Sequence, residues 1–192
     1  ISDEMVRGTR IDDASVLTLL TNADLVLAHN AAFDRPFLER RIPAFAKVRW
    51  ACSMADVNWR GAGYGGRGVG VLLYEHCREF FDAHRAEVDC RAAIQLLATP
   101  FADGTQPMQQ LLQAASASRI KVSALDAPIE VKELLKARGY RWFAGGAGRP
   151  KARWRLVDTD ALDAEREWLT REIYAGRYRA SEEAEDPLRR FV

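Results

Sequence analysis

Leu25-Val26-Leu27-Ala28 is an unbroken apolar run, and it constrains the fold more than any other stretch of this chain. A strand with one face in water alternates apolar and polar residues. A run without alternation fits a strand covered on both faces, the condition of strands packed between helices. Its surroundings supply those helices. Asp12 or Asp13 can cap a helix with Val16, Leu17, Leu19 and Leu20 on its buried side. A second helix is expected from about Asp34 to Arg41, with Pro36 tolerable only in its first turn. Val48 to Cys52 reads as another strand, and Glu87 to Ala98 as a helix stopped by Pro100. Strands alternating with helices in this way predict an α/β sheet protein. Between them, Gly61 to Gly70 holds six glycines but lacks the Gly-Lys-Ser/Thr ending of a phosphate-cradling loop. It is expected to be a flexible loop, with helical character returning over Val71 to Cys77.

The pattern changes after Pro100. Residues 100–107 are rich in Asp, Gly, Thr and Pro, the composition of a linker. Beyond them, Met108 to Ala117 is helical and Ile120 to Leu125 alternates like a half-buried strand. Ile129 to Arg138 is a helix ended by Gly139. Tyr140 to Phe143 and Ala152 to Val157 form a hairpin around Gly145, Gly146, Gly148 and Pro150. Asp160 is expected to cap a last helix reaching about Tyr174. The acidic tail from Ala180 to Val192 reads as loosely ordered. These boundaries divide the chain into a domain over 1–104, a small basic α+β domain over 105–178, and a tail over 179–192.

Composition limits the classes open to such a chain. With 48% apolar and 29% charged residues, its 192 residues can bury an ordinary globular core. No apolar run approaches the roughly 18 residues that cross a bilayer, and no secretory leader opens the chain, so a cytoplasmic protein with no membrane partner is expected. Cys52, Cys77 and Cys90 are odd in number and widely spaced, which reads as core residues of a reducing compartment. Net charge is only +1, but residues 132–155 carry eight cations against Glu133 alone. Aromatic residues interleave with those cations. Lys132, Arg138, Arg141, Arg153, Arg155 and Trp154 are therefore candidate nucleic-acid contacts, set against the alternative of a solvated basic face over a small core.

Two aspartates stand where carboxylates are costly. Asp34 shares a helical face with Phe37 and Leu38, and Asp89 shares one with Ala93 and Leu97. A carboxylate turned toward an apolar face needs a cation or donors to meet it. A salt bridge to Arg35 or Arg91, or a capping role for Asp34, is one solution; a divalent metal with oxygen ligands is the other. His84 lies five residues before Asp89, a rotation of about 140° on a helix, so it must occupy the preceding turn to share a site with it. His29 and His76 read as structural histidines.

The segment Ala28-His29-Asn30-Ala31-Ala32-Phe33-Asp34 resembles the second exonuclease motif of DnaQ-like proteins, an Asn-x-x-Phe-Asp core after a strand. His84-Arg85-Ala86-Glu87-Val88-Asp89 resembles their third motif, the His-x-Ala-x-x-Asp form of the DEDDh branch. The resemblance covers about residues 1 to 100 and includes the order and separation of the motifs. It implies a ribonuclease H-like fold, a mixed sheet flanked by helices. It also implies 3′→5′ exonuclease chemistry with two Mg²⁺ or Mn²⁺ ions about 4 Å apart. By the resemblance Asp89 and Asp34 are metal ligands and His84 is the general base, while Asn30 and Phe33 shape the strand–helix turn. The basic region resembles a tail that follows the exonuclease domain in some bacterial homologues.

One motif of that family has no counterpart here. Its opening-strand Asp-x-Glu would precede everything in this chain, and Ser2-Asp3-Glu4 does not replace it. Ile1 cannot be a natural translation start, so an N-terminal segment with the first strands is expected to be missing and the chain itself to be nearly inactive. The implied function is hydrolysis of single-stranded DNA from its 3′ end. The resemblance to proofreading exonucleases of the DNA polymerase III epsilon type implies replication or repair and a polymerase partner. RNA 3′-end trimming of the ribonuclease T kind shares the motifs, and a nucleic-acid-binding module that has lost catalysis is the reading from another class.

Overall fold

A computed structural model of the chain describes residues 2–80, 85–146 and 148–192. The chain divides into two compact units, one of residues 1–116 together with 187–192, the other of residues 117–186.

The first unit carries helices α1 (Asp3–Val6) and α2 (Asp13–Thr21), strand β1 (Leu25–Ala28), helix α3 (Ala31–Arg41), strand β2 (Arg49–Cys52), and helices α4 (Val69–Leu72), α5 (Ala86–Ala98) and α6 (Pro107–Ser116). β1 and β2 pair in parallel, with Leu25 opposite Arg49 and Ala28 opposite Cys52. The α/β class expected from the sequence is thus present, although the described sheet of this unit has two parallel strands, not a mixed set. All four β1 residues are only half-buried, because β2 is the one described strand beside them. β2 is more deeply covered, with Trp50, Ala51 and Cys52 buried.

Asp12 caps α2 as expected, its carboxylate accepting from the amides of Ala14 and Ser15. Only Val16 and Leu20, one turn apart, face the core; Leu17 and Leu19 are exposed. The narrow inward stripe explains this, since Val16 lies only about 40° around the helix from Leu20, whereas Leu17 and Leu19 lie about 60° and about 100° away. The expected helix at Asp34 begins earlier, at Ala31, so Pro36 lies in the second turn. Proline leaves the carbonyl of Ala32 without an amide partner, and both residues are exposed, where water can replace it. The Pro100–Pro107 stretch is not a linker. Phe101 is buried against Trp59, Tyr64 and His76, and Leu111 and Ala115 of α6 join the same core. The first unit therefore ends at Ser116, later than composition suggested. Among the cysteines Cys52 is buried, Cys77 half-buried, and Cys90 exposed rather than core.

The second unit is a four-stranded antiparallel sheet in the order β4-β5-β3-β6, formed by β3 (Arg119–Ala124), β4 (Arg141–Phe143), β5 (Ala152–Asp158) and β6 (Ser181–Ala184). Helices α7 (Lys132–Ala137) and α8 (Leu162–Trp168) complete it. The expected hairpin is β4–β5, closed where Gly145, Gly146 and Gly148 take positive φ. α8 starts after a 3-10 turn over Thr159–Ala161, so Asp160 lies inside that turn and does not cap the helix.

The tail is ordered, contrary to its acidic composition. Ser181–Ala184 joins β3 as an edge strand, and its acids are answered by Arg166 on Glu182 and Arg119 on Glu185. Residues 187–192 belong to the first unit. Arg190 pairs with Asp56, both side chains almost wholly buried, and the Arg35 guanidinium donates to the carbonyls of Leu188 and Arg190. Removing one partner of a buried pair strands the other charge. Arg190→Ala is expected to cost about 3–5 kcal/mol, read as a lower denaturant midpoint for the first unit; an unchanged midpoint would contradict this anchoring role.

No described helix is long and apolar enough to cross a membrane.

Candidate active site

The site is built at the end of β1. The chain leaves the strand through His29 and Asn30, and Asn30 takes the left-handed conformation at φ 75°. Asparagine adopts that region more readily than most side chains. The Asn30 carbonyl then accepts from the Phe33 amide at 2.8 Å, which turns the backbone into α3 and sets Asp34 in its first turn. Asn30 shapes the strand–helix turn, as the resemblance implied.

Asp34 is half-buried at the flank of the inward face of α3. That face carries Ala31, Arg35 and Leu38, which packs on the core, while Phe37 is 61% exposed. Phe33, also implied as a turn-former, is 62% exposed and packs its ring on Phe37 with centroids 5.2 Å apart. Asp34 thus stands beside an exposed aromatic pair. Arg35 is not its partner, being tied to Glu39 and the tail carbonyls, and Arg91 is tied to Glu87. Burial pushes the Asp34 carboxyl above its usual range, opposed by its own backbone amide and by nearby His29. No ion pair to Asp34 is formed among the described residues.

His29 is held at both nitrogens. Nε2 lies 2.7 Å from the Arg67 carbonyl and Nδ1 lies 2.8 Å from Ser53 Oγ. A carbonyl can only accept, so Nε2 carries the hydrogen and Nδ1 accepts the serine hydroxyl. Burial lowers the His29 pKa, the Arg67 carbonyl opposing, which favours this neutral form. The glycine-rich loop is therefore fastened to the strand–helix turn through Arg67. His76 is likewise structural, between Tyr64 Oη and the Thr99 carbonyl.

Asp89 lies in the first turn of α5, half-buried, above the inward residues Ala92, Ala93, Leu96 and Leu97. It too forms no ion pair among the described residues. His84 lies outside the described residues. No group of three or more His, Cys, Asp or Glu able to hold a metal occurs among the described residues. The donor chemistry of Asp34 and Asp89 suits a hard divalent cation, and the half-buried Asp34, unanswered by any described cation, fits such an ion. Two carboxylates are fewer ligands than a two-ion centre needs.

The candidate nucleic-acid residues separate into two groups. Glu165, buried, accepts from Arg138 Nε at 3.0 Å and from Tyr140 Oη at 2.8 Å, with Arg155 Nη1 at 3.5 Å. Arg138 also lies over the Trp168 ring, and Arg155 donates to the Arg138 carbonyl. Arg138 and Arg155 thus neutralise a buried acid and are not free to meet phosphates. The signal was legible: Glu165 sits between Leu162 and Leu169 on the inward stripe of α8, where it demands cations. Lys132, Arg141 and Arg153 form no ion pair among the described residues, though Lys132 and Arg153 act on the nearby Glu133 carboxylate; Arg149 and Lys151, which the candidate set omitted, join them. Trp154 lies on the opposite sheet face from Arg153 and Arg155, as alternation requires, under the Lys121 ammonium at 5.1 Å.

Comparison with known protein families, with curated proteins and with solved structures gives no match.

A carboxylate with a raised folded pKa contributes stability that is present below its ordinary pKa and lost as pH rises through the folded value. Ionised Asp34 is therefore a cost at neutral pH. Asp34→Asn is expected to stabilise the first unit at pH 7, by less than about 1 kcal/mol given solvent screening. The gain should fade below about pH 4, where the carboxylate protonates. Thermal melts across pH check this, and a destabilised variant at pH 7 contradicts it.

Proposed function

We propose that this protein is a metal-dependent 3′→5′ exonuclease that hydrolyses phosphodiester bonds of single-stranded DNA. The observation that carries the reading is Asp34, a half-buried carboxylate with a raised pKa and no described cation, set beside two exposed aromatic rings at a strand–helix turn. Carboxylates whose pKa is raised by burial cluster at functional sites. The resemblance of the Asp34 and Asp89 segments to exonuclease motifs supports the same reading.

In this account Asp34 and Asp89 would hold Mg²⁺ or Mn²⁺. When bound, a pair of such ions supplies charge stabilisation to the attacking and leaving oxygens of an in-line displacement. The rest falls to the chain. Asn30 fixes the angle at which Asp34 leaves the strand, and the His29–Arg67 and His29–Ser53 bonds hold that turn in place. Phe33 and Phe37 offer ring surface on which a terminal base can stack. His84, by the resemblance, takes the proton from the attacking water, a role suited to a group with an ordinary pKa near neutrality.

A second reading is favoured by one observation. Lys132, Arg141, Arg149, Lys151 and Arg153 form no ion pair among the described residues of the second unit, which suits a nucleic-acid-binding module without catalysis.

Digestion of matched single-stranded DNA and RNA by the natural full-length protein separates these readings. Shortening from the 3′ end with Mg²⁺ or Mn²⁺, abolished by EDTA, is expected, and DNA cleaved faster than RNA. Undiminished cleavage in excess EDTA rules out the proposal, binding without cleavage favours the module, and faster RNA cleavage assigns a ribonuclease. His84→Ala is expected to slow hydrolysis by about 10²–10⁴-fold, the usual worth of a general base; an unaltered rate removes His84 from that role.

A further inference from the structure

In the second unit a cavity of about 320 Å³ opens beside the β4–β5 hairpin. Its volume falls within the roughly 300–1,000 Å³ of small-ligand sites. Ala124, Leu135 and Ala152, all buried, give it an apolar floor. Lys132, Lys151 and Arg153 line its walls with Asp126 as the acid among the lining residues. The three cations form no ion pair or side-chain hydrogen bond among the described residues, although Lys132 and Arg153 also act on the nearby Glu133 carboxylate, itself paired with Lys136; three cations against Asp126 leave the lining positive. Trp142, 58% exposed, forms another wall, and the Arg153 guanidinium lies 5.7 Å from its ring centre.

We propose that this cavity binds single-stranded nucleic acid, with phosphates met by Lys132, Lys151 and Arg153 and a base stacked on Trp142. The choice of a nucleic acid over another polyanion rests on the exonuclease reading and on the aromatic wall. Phosphates alone need only cations, whereas an exposed indole above an apolar floor suits the flat, weakly hydrated face of a base. The stacked Arg153 is compatible with that arrangement, because a guanidinium packs flat on aromatic surfaces and still donates along its edge.

The opposite face of the sheet is the weaker candidate. There the Trp154 ring is already under Lys121 at 5.1 Å and the Phe143 ring under Arg149 at 5.2 Å. Glu183 adds a negative charge to that face, and its cavity is only about 110 Å³.

The test is fluorescence anisotropy of labelled oligothymidylate and oligouridylate with the full chain, in EDTA so that no strand is cut. Lys132→Gln combined with Lys151→Gln is expected to weaken binding about tenfold. It should also flatten the dependence of log K on log salt by about 0.7 for each lost contact. Trp142→Leu is expected to weaken binding at least about fivefold, the lower end of what one stacked base contributes. Lys121→Gln and Lys121→Ala, on the other face, should each leave affinity within about twofold. Circular dichroism melts verify that each variant folds.

Parent-like binding by the cavity variants overturns the proposal, as does an equal loss from the opposite-face variants. Loss at the lysines with none at Trp142→Leu marks a simple polyanion surface and also overturns it. Since the measurement needs no metal and no cleavage, its outcome is independent of whether the protein proves to be a nuclease.

Discussion

A carboxylate taken out of water costs several kcal/mol unless cations or hydrogen-bond donors replace the lost solvent. Two such groups organise this chain. In the first unit Asp56 meets Arg190, and that contact brings residues 187–192 back across the whole second unit in sequence to seal the core around β2. In the second unit Glu165 gathers Arg138, Arg155 and Tyr140 between α8 and the sheet. The Tyr140 hydroxyl, buried against that acid, is held well above its ordinary pKa and so remains a donor. Asp56 and Glu165 are thus buried acids whose partners come from distant parts of the chain, which makes the ionic contact a means of fixing which segments meet.

Asp34 departs from that rule. Its neighbours are a neutral histidine, two exposed rings and its own helix terminus, and none of the described residues offers it a full positive charge. The surrounding backbone is nevertheless well determined. Asn30 occupies the left-handed region, and His29 is bonded at both ring nitrogens, one of them to the glycine-rich loop. We propose that this held turn, presenting a carboxylate with no ion pair among the described residues, serves a divalent cation, which would give the resemblance of the Asp34 segment to an exonuclease motif its physical content.

Much of the fold was legible in the sequence because local signals sufficed. The apolar run at Leu25, the cap at Asp12, the hairpin glycines and the alternation from Ile120 each depend on neighbours a few residues away. What failed depended on distant partners. The acidic tail read as loose because nothing near it in sequence shows that β3 would pair with Ser181–Ala184 or that Arg119 would meet Glu185. The Pro100–Pro107 stretch read as a linker because one of its buried residues, Phe101, inserts among aromatic rings more than 20 residues upstream. The basic segment misled for the same reason: Arg138 and Arg155 look free until Glu165 is placed between them. At the candidate site, periodicity placed Asp34 on a face with Phe37 and Leu38, of which Leu38 packs on the core and Phe37 is exposed, while Arg35 turns inward.

The central claim is that Asp34 is held in readiness for a divalent metal. Titration of the natural full-length protein with Mn²⁺, followed by the electron paramagnetic resonance signal of the free ion, tests it most directly. The account predicts saturable Mn²⁺ binding by the parent protein that is lost or greatly weakened in a folded Asp34→Asn variant. Mn²⁺ binding of unchanged affinity and stoichiometry in that variant would contradict it.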